Sequence, residues 1–249
     1  MAVSDEIREQ TNKLKDMDNK HKAEYIWTYY KWWILGTIGA IAFVISLVSA
    51  IIKNSKPIYL DVMFLNSTAN EQGDLCTLDT DFLNEYNVDE GEYRANFDYT
   101  TYLDNNGGNQ QSVAGQVKVV SKYQAEELDI ICGPDEVLSD AADVGGYAKL
   151  EEVLPEGMLE ELINKGYEPY YYTEKIYDDD AAPDSEGKLP FTYGEKYIGG
   201  IYVNNSPKLF GEDSRYPYNS ALEDKVVLAI AWNSPHLEHA IQFLEYVTK

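Results

Sequence analysis

The sequence predicts an α/β domain tied to a single membrane-spanning helix, and three observations predict it. Residues 33–52, WILGTIGAIAFVISLVSAII, form an uncharged apolar run. As a helix, about 20 such residues cross a hydrocarbon core of about 30 Å. From Ile58 to Cys132, apolar runs of strand length alternate with helix-period segments, the pattern of a parallel sheet with right-handed crossovers. The charge is also divided. Residues 1–32 carry six Lys/Arg against six Asp/Glu, so the formal −23 falls wholly on the remainder, with 14 basic and 37 acidic residues.

The flanks of the apolar run fit a span. Tyr25, Trp27, Tyr29, Tyr30, Trp32 and Trp33 crowd its leading side, where amphipathic rings prefer the headgroup layer. Lys31 precedes it and Lys53 and Lys56 follow, all placed to snorkel outward. Arg8, Lys13, Lys15, Lys20, Lys22 and Lys31 lie before the span, and only Lys53 and Lys56 follow it before Arg94. The positive-inside bias therefore puts residues 1–32 in the cytoplasm and residues 57–249 outside the cell, a single-pass arrangement in the cell membrane. Val48-Ser49-Ala50 has the look of a signal-peptide cleavage site. The charged region before the run is far longer than an ordinary n-region, which favours an uncleaved anchor. The nearest Cys is Cys76, so a thioether-linked lipid anchor is excluded.

Residues 4–30 read as a polar, solvated helix; Ile7, Leu14 and His21 fall seven apart, too short a seam for a coiled coil. Ile58 to Leu65 reads as the first strand, and Thr77 to Tyr86 as a helix with Leu78, Phe82, Leu83 and Tyr86 on one side. Tyr93 to Tyr102 alternates aromatic and polar residues as a second strand, closed by the turn-rich Asp104 to Asn109. Gln110 to Glu127 is a helix with Val113, Val117, Val120 and Tyr123 as its apolar side. Leu128 to Cys132 is a buried strand stopped by Gly133-Pro134.

Beyond that point, Asp135 to Ala142 and about Pro155 to Asn164 read as helices. Pro169 demotes the tyrosine-rich Tyr167 to Tyr172 to an edge strand or extended loop. Ile176 to Lys188 is an acidic loop or hairpin, and Phe191 with Tyr197 to Asn204 supplies more strand. Lys225 to Trp232 is an apolar strand. Ser234-Pro235 opens the last helix as N-cap and first helical residue. Its core stripe is Leu237, Ala240, Ile241, Leu244 and Val247.

Three stretches together carry a resemblance. Ala125 to Gly133 (AEELDIICG), Tyr147 to Leu154 (YAKLEEVL) and the closing Val227 to Val247, with Trp232-Asn233-Ser234-Pro235-His236 and Ala240-Ile241-Gln242-Phe243-Leu244, resemble segments of bacterial extracellular solute-binding proteins of the type 2 periplasmic-binding fold. The Tyr29-Tyr30-Lys31-Trp32 stretch is similar to that of short membrane-tethered relatives. The resemblance implies a periplasmic-binding-protein type 2-like domain that presents a small polar solute to an importer of the ABC transporter class or to a sensor. Residues 57–249 are few for two lobes and a hinge, so the second lobe is expected to be reduced, and the usual lipid-bearing Cys is lacking.

The chemistry in the sequence points to binding rather than catalysis. An acidic domain disfavours nucleic acid, whose phosphates need Lys/Arg, and anionic membrane faces. His236-Leu237-Glu238-His239 lacks the His-Glu-x-x-His spacing of a metalloprotease. Asp178, Asp179, Asp180, Asp184 and Glu186 lack the spacing of an EF-hand loop. Tyr171 and Lys175 stand four apart, as in some dehydrogenases, but without a Gly-rich nucleotide loop. No nucleophile elbow or phosphate loop is present, so no enzyme, cofactor or metal is expected.

Ligands of open α/β sheets lie beyond the carboxyl ends of the strands. Those loops hold Asn66, Ser67, Thr68, Thr100, Thr101, Tyr102, Gly133 and Asp135. These groups suit a small polar solute, a sugar or a peptide, and the same residue types serve as turns and caps. Cys76 and Cys132 follow or end neighbouring strands, so outside the cell they are candidates for a disulfide or for two separate thiols. The alternative function is an anchored protein-interaction or assembly domain that has lost solute binding and binds a membrane protein partner through a patch around Tyr167 to Tyr172.

Overall fold

The computed structural model describes residues 19–54, 56–69, 76–104, 109–142, 146–178, 181–182, 189–213 and 215–249. The chain forms two units, Met1–Lys56 and Pro57–Lys249. In the first, α1 (Asn19–Asn54) is one continuous helix of 36 residues. Its stretch Lys31–Ser49, with mean hydropathy 2.0 and none of it buried, is long and apolar enough to cross a membrane. Thr37 donates its hydroxyl to the Trp33 carbonyl at 2.8 Å, so this polar group is satisfied within the helix itself. Of the helix expected over residues 4–30, residues 19–30 belong to α1 and residues 4–18 lie outside the described residues.

The second unit is a mixed α/β domain. Its strands are β1 (Ile58–Phe64), β2 (Arg94–Asp98), β3 (Ile130–Pro134), β4 (Pro169–Tyr177), β5 (Phe191–Tyr202), β6 (Phe210–Gly211), β7 (Tyr218–Asn219) and β8 (Val226–Ile230). The helices are α2 (Leu78–Glu85), α3 (Gln110–Gln124), α4 (Asp135–Ala142), α5 (Leu150–Val153), α6 (Met158–Asn164) and α7 (Leu237–Val247). Six strands form one sheet in the order β2-β1-β3-β8-β5-β4, and β6 and β7 make a small separate pair. The expected parallel arrangement holds for β1 with β2 and β3. Beyond β3 the sheet turns antiparallel, through β8, β5 and β4.

Alternation along the central strands explains the layers. Leu60, Val62 and Phe64 of β1 join Ile130, Cys132, Val226, Leu228 and Ile230 on one face, covered by Phe82 of α2 and Phe243, Leu244 and Val247 of α7. Met63, Ile131, Val227 and Ala229 point to the other face, beneath Val119 and Tyr123 of α3 and Val137 and Leu138 of α4. A strand buried on both faces reads as a near-continuous apolar run, as VVLAI of β8 does with all five residues buried.

Several boundaries differ from expectation for identifiable reasons. β2 stops at Asp98 because its carboxylate turns back onto the Thr100 amide and the Thr100 and Thr101 hydroxyls. β3 runs through Gly133-Pro134 instead of stopping there, because Val227 and Val226 of β8 pair with them. Glu126, with φ 54°, turns the chain out of α3. The apolar side of α3 is also rotated. Ser112, Gly115, Val119 and Tyr123 face inward, while Val113 and Val117 are exposed. Gly115 sets this rotation, since a Cβ there would lie 2.2 Å from the Tyr102 carbonyl oxygen. Similarly, a Cβ on Gly200 of β5 would meet the Leu228 carbonyl at 2.6 Å, so only glycine lets these strands come this close.

The last helix starts later than Ser234-Pro235 suggests. His236 is its N-cap residue, and Ser234 donates instead to Asp129 Oδ1 at 2.6 Å. The same oxygen accepts the His236 amide at 2.9 Å. A buried carboxylate on the neighbouring strand end has taken over the capping role that a local Ser usually plays.

Candidate functional site

The carboxyl ends of β1 and β3 are where a ligand crevice is expected, because β1 is flanked by β2 and β3 at a reversal of strand order. The loop after β1 is fixed by its own side chains. Asn66, at φ 53°, accepts the Leu103 amide at 2.8 Å and donates to the Leu103 carbonyl at 2.9 Å. Its backbone amide donates to the Thr101 carbonyl. Ser67 and Thr68 both donate to the Pro217 carbonyl. Thr100 and Thr101 donate to Asp98, which also pairs with Lys118 at 2.6 Å. Burial pushes the Asp98 carboxyl up, but the hydrogen bonds from Lys118, Thr101 and Thr100 outweigh it and hold it below the ordinary value. Tyr102 is exposed, and Gly133 is buried against the Leu65 side chain.

The centre of the crevice is occupied by Tyr218. It is fully buried, and its hydroxyl lies 3.0 Å from the Leu65 carbonyl and 2.9 Å from that of Cys132. One proton is shared between the two carbonyls at the ends of β1 and β3. Its ring stacks on Phe210 at 5.5 Å and meets Phe64 edge-on at 6.3 Å. Burial raises the phenol well above its ordinary pKa. The predicted residues Asn66, Ser67, Thr68, Thr100 and Thr101 are thus brought together, and their polar atoms are engaged by the chain itself.

A cavity opens elsewhere along the same edge. It has about 300 Å³ and is lined by Gly166, Glu168, Tyr202, Asn204, Asn205 and Lys225, where the chain enters β4, leaves β5 and enters β8. Asn204 ties these turns together, donating to the Asp224 carbonyl and accepting the Val226 amide, both at 2.9 Å. Tyr202 donates its hydroxyl to Asp135 Oδ2 at 3.2 Å; burial, with Asp135 beside it, raises its pKa. Lys225 Nζ sits 5.0 Å from the Tyr202 ring centre and 3.9 Å from Glu168 Oε2. Of the eight predicted residues, Asp135 borders this cavity through Tyr202. Sequence reading placed Glu168 in the Tyr167 to Tyr172 run and Lys225 at the head of an apolar strand without marking either as a site residue, and Asn205 lies in a turn without periodicity.

The other titratable cluster lies at the opposite strand ends. Asp61 and Asp129 are both fully buried. Asp129 Oδ2 accepts the Asp61 amide at 2.8 Å and meets His236 Nδ1 at 3.0 Å. Asp61 takes Lys122 and the Asn96 amide on Oδ2. Burial raises the Asp61 carboxyl above the ordinary range even though Lys122 opposes it. His239 Nδ1 is bound to the Tyr59 carbonyl at 2.7 Å and its ring stacks on Tyr59 at 3.7 Å. Both histidines are therefore engaged in packing α7, and among the described residues no His, Cys, Asp and Glu cluster could hold a metal. Of the acidic run, only Asp178 lies among the described residues.

Cys76 and Cys132 are two separate thiols rather than a disulfide. Burial raises both thiol pKa values, which keeps them protonated and weakly nucleophilic.

The β4–β5 pair forms a second surface. β5 meets β8 only from Gly200 to Tyr202, whereas β4 and β5 pair from Pro169↔Ile201 out to Tyr177↔Phe191. The outer part is a two-stranded ribbon, with β4 at the sheet edge. Tyr167, Tyr170 and Tyr172 are buried; the exposed large apolar side chains of the pair are Tyr171, Ile176, Phe191 and Tyr193, with Ile176 on the face of the ribbon opposite Phe191 and Tyr193. Tyr171 lies under Lys196, and Lys175 over Phe191, so the Tyr171–Lys175 spacing places the two in different contacts. Against known proteins, the chain matches no family model, no curated protein and no solved structure.

Proposed function

We propose that this protein is a single-pass membrane-anchored, non-catalytic binding domain that docks a protein partner outside the cell through its β4–β5 ribbon. The observation that carries this reading is the ribbon itself. Phe191 and Tyr193 stand in ring contact at 5.4 Å, with Tyr177 on Phe191 at 5.6 Å, and Tyr193 is 71% exposed. Aromatic side chains on an open sheet edge suit protein association. The apolar helix and the charge bias around it support the anchor and its orientation. Tyr218 supports the loss of a solute crevice at β1 and β3, since a ligand there would have to displace a fully buried side chain.

Two experiments test this reading. Protease added to intact cells should remove residues 57–249 and spare residues 1–32; protection of the larger domain would overturn the orientation. A photocrosslinking residue in place of Tyr193 should give a discrete adduct in native membranes that one in place of Val117 does not. Equal labelling at both positions, or none, would sink the docking surface.

A second reading keeps the solute-binding role at a different place. The cavity between Glu168 and Lys225 supports delivery of a small polar ligand to a transporter or sensor.

A further inference from the structure

We propose that the cavity between Glu168, Tyr202 and Lys225 is a site for a free α-amino acid, neutral or basic, held by its two charged ends. The proposal rests on the second reading above and names its ligand class. The walls are built from fixed backbone. The Tyr202 amide donates to the Glu168 carbonyl at 2.9 Å, and the Asp135 amide donates to that of Lys225 at 2.9 Å. Asn204 bridges the turn into β8. Gly166, at φ +93°, holds a left-handed turn that side chains rarely adopt.

Among the described residues that line it, the charged side chains are Lys225 and Glu168. At 3.9 Å, Lys225 and Glu168 are beyond hydrogen-bond distance, and their side chains are 62% and 74% exposed. Such a loose pair contributes little to folding, so both groups can turn to a ligand at small cost. A carboxylate on Lys225 and an ammonium on Glu168 would each form a charge-assisted hydrogen bond.

Two further facts narrow the class. About 300 Å³ is the lower end of small-molecule pockets, which suits one amino acid better than a long peptide. The formal −23 carried outside residues 1–32 repels anions on approach but not a neutral zwitterion or a cation. A simple carboxylate could use Lys225 but would face that field, whereas an amino acid brings its own compensating charge.

The test is calorimetric titration of the full chain in detergent micelles with alanine, lysine, N-acetylalanine, alanine methyl ester and glucose. Saturable heat with alanine and lysine is expected, with both blocked derivatives weaker. Glu168→Gln and Lys225→Met should each weaken alanine binding by about tenfold or more, the worth of a charged hydrogen bond. Circular dichroism should show both exposed variants folded. Glucose binding without alanine would overturn the amino-acid class and leave a solute site. Unchanged alanine affinity in both variants would overturn this location. No heat from any ligand would overturn the site and the solute reading together.

Discussion

Replacing Tyr218 by phenylalanine removes one oxygen from the centre of the crevice and leaves its ring contacts in place. The hydroxyl serves the Leu65 and Cys132 carbonyls at 3.0 and 2.9 Å. The Cys132 carbonyl keeps another donor, the Leu65 amide at 2.7 Å, so the loss falls mainly on Leu65. One buried carbonyl left without its donor costs about 1–3 kcal/mol. Tyr218→Ala also removes a fully buried ring packed on Phe210 and Phe64, and costs about 3–5 kcal/mol. For a domain of this size, 1 kcal/mol moves the melting temperature by about 2–4 °C. The assay is a urea melt of the full chain in detergent, followed by far-ultraviolet circular dichroism, with the slope checked for constancy. A Tyr218→Phe variant within about 0.5 kcal/mol of wild type, the range of surface substitutions, would refute the reasoning. It would mean that water reaches these carbonyls and that the crevice is open.

Three further outcomes follow from the packing and the charges. Gly115→Ala drives a Cβ to within 2.2 Å of the Tyr102 carbonyl; thermal melts should show a loss of about 1–3 kcal/mol or more, despite the better helix propensity of alanine. Val117→Ser should be neutral within about 0.5 kcal/mol, whereas Val119→Ser, two residues on and on the buried face of the helix, should be clearly destabilising; the reverse order would restore the sequence-derived face of α3. Asp98→Asn should cost about 1–3 kcal/mol at neutral pH through its lost charged hydrogen bonds. The carboxyl is held below its ordinary value when folded, so its contribution is present above about pH 4 and is lost as pH falls through the folded value. Wild type and Asp98→Asn should therefore converge in acid; a gap that persists would assign the effect to shape instead of charge.

Where the sequence was legible, the information was local. β1, α2 and α4 appear at the positions their apolar periods indicate, and Pro169 marks a strand at the edge of the sheet. Where it misled, a distant group intervened. The face of α3 follows from Gly115 against Tyr102, and the start of α7 follows from Asp129, 105 residues before Ser234. For the candidate site, the sequence found the loops at the carboxyl ends of β1 and β3. It could not find that Pro217 and Tyr218 would fill the space between them.

The sequence by itself determined an apolar segment of membrane-spanning length, a strongly acidic domain after it, and the parallel β1, β2 and β3 core. These depend on composition and short periods, which the chain carries without folding. Tertiary structure alone decided the antiparallel half of the sheet, the rotation of α3, the separate thiols, the plugged crevice and the cavity beside Lys225. The sheet pairing and the plugged crevice depend on pairs far apart in the chain, as with Tyr218 and Leu65 at a separation of 153 residues. Such contacts leave no period to read, because shape and hydrogen-bond partners across the core select them only when the sheet is assembled.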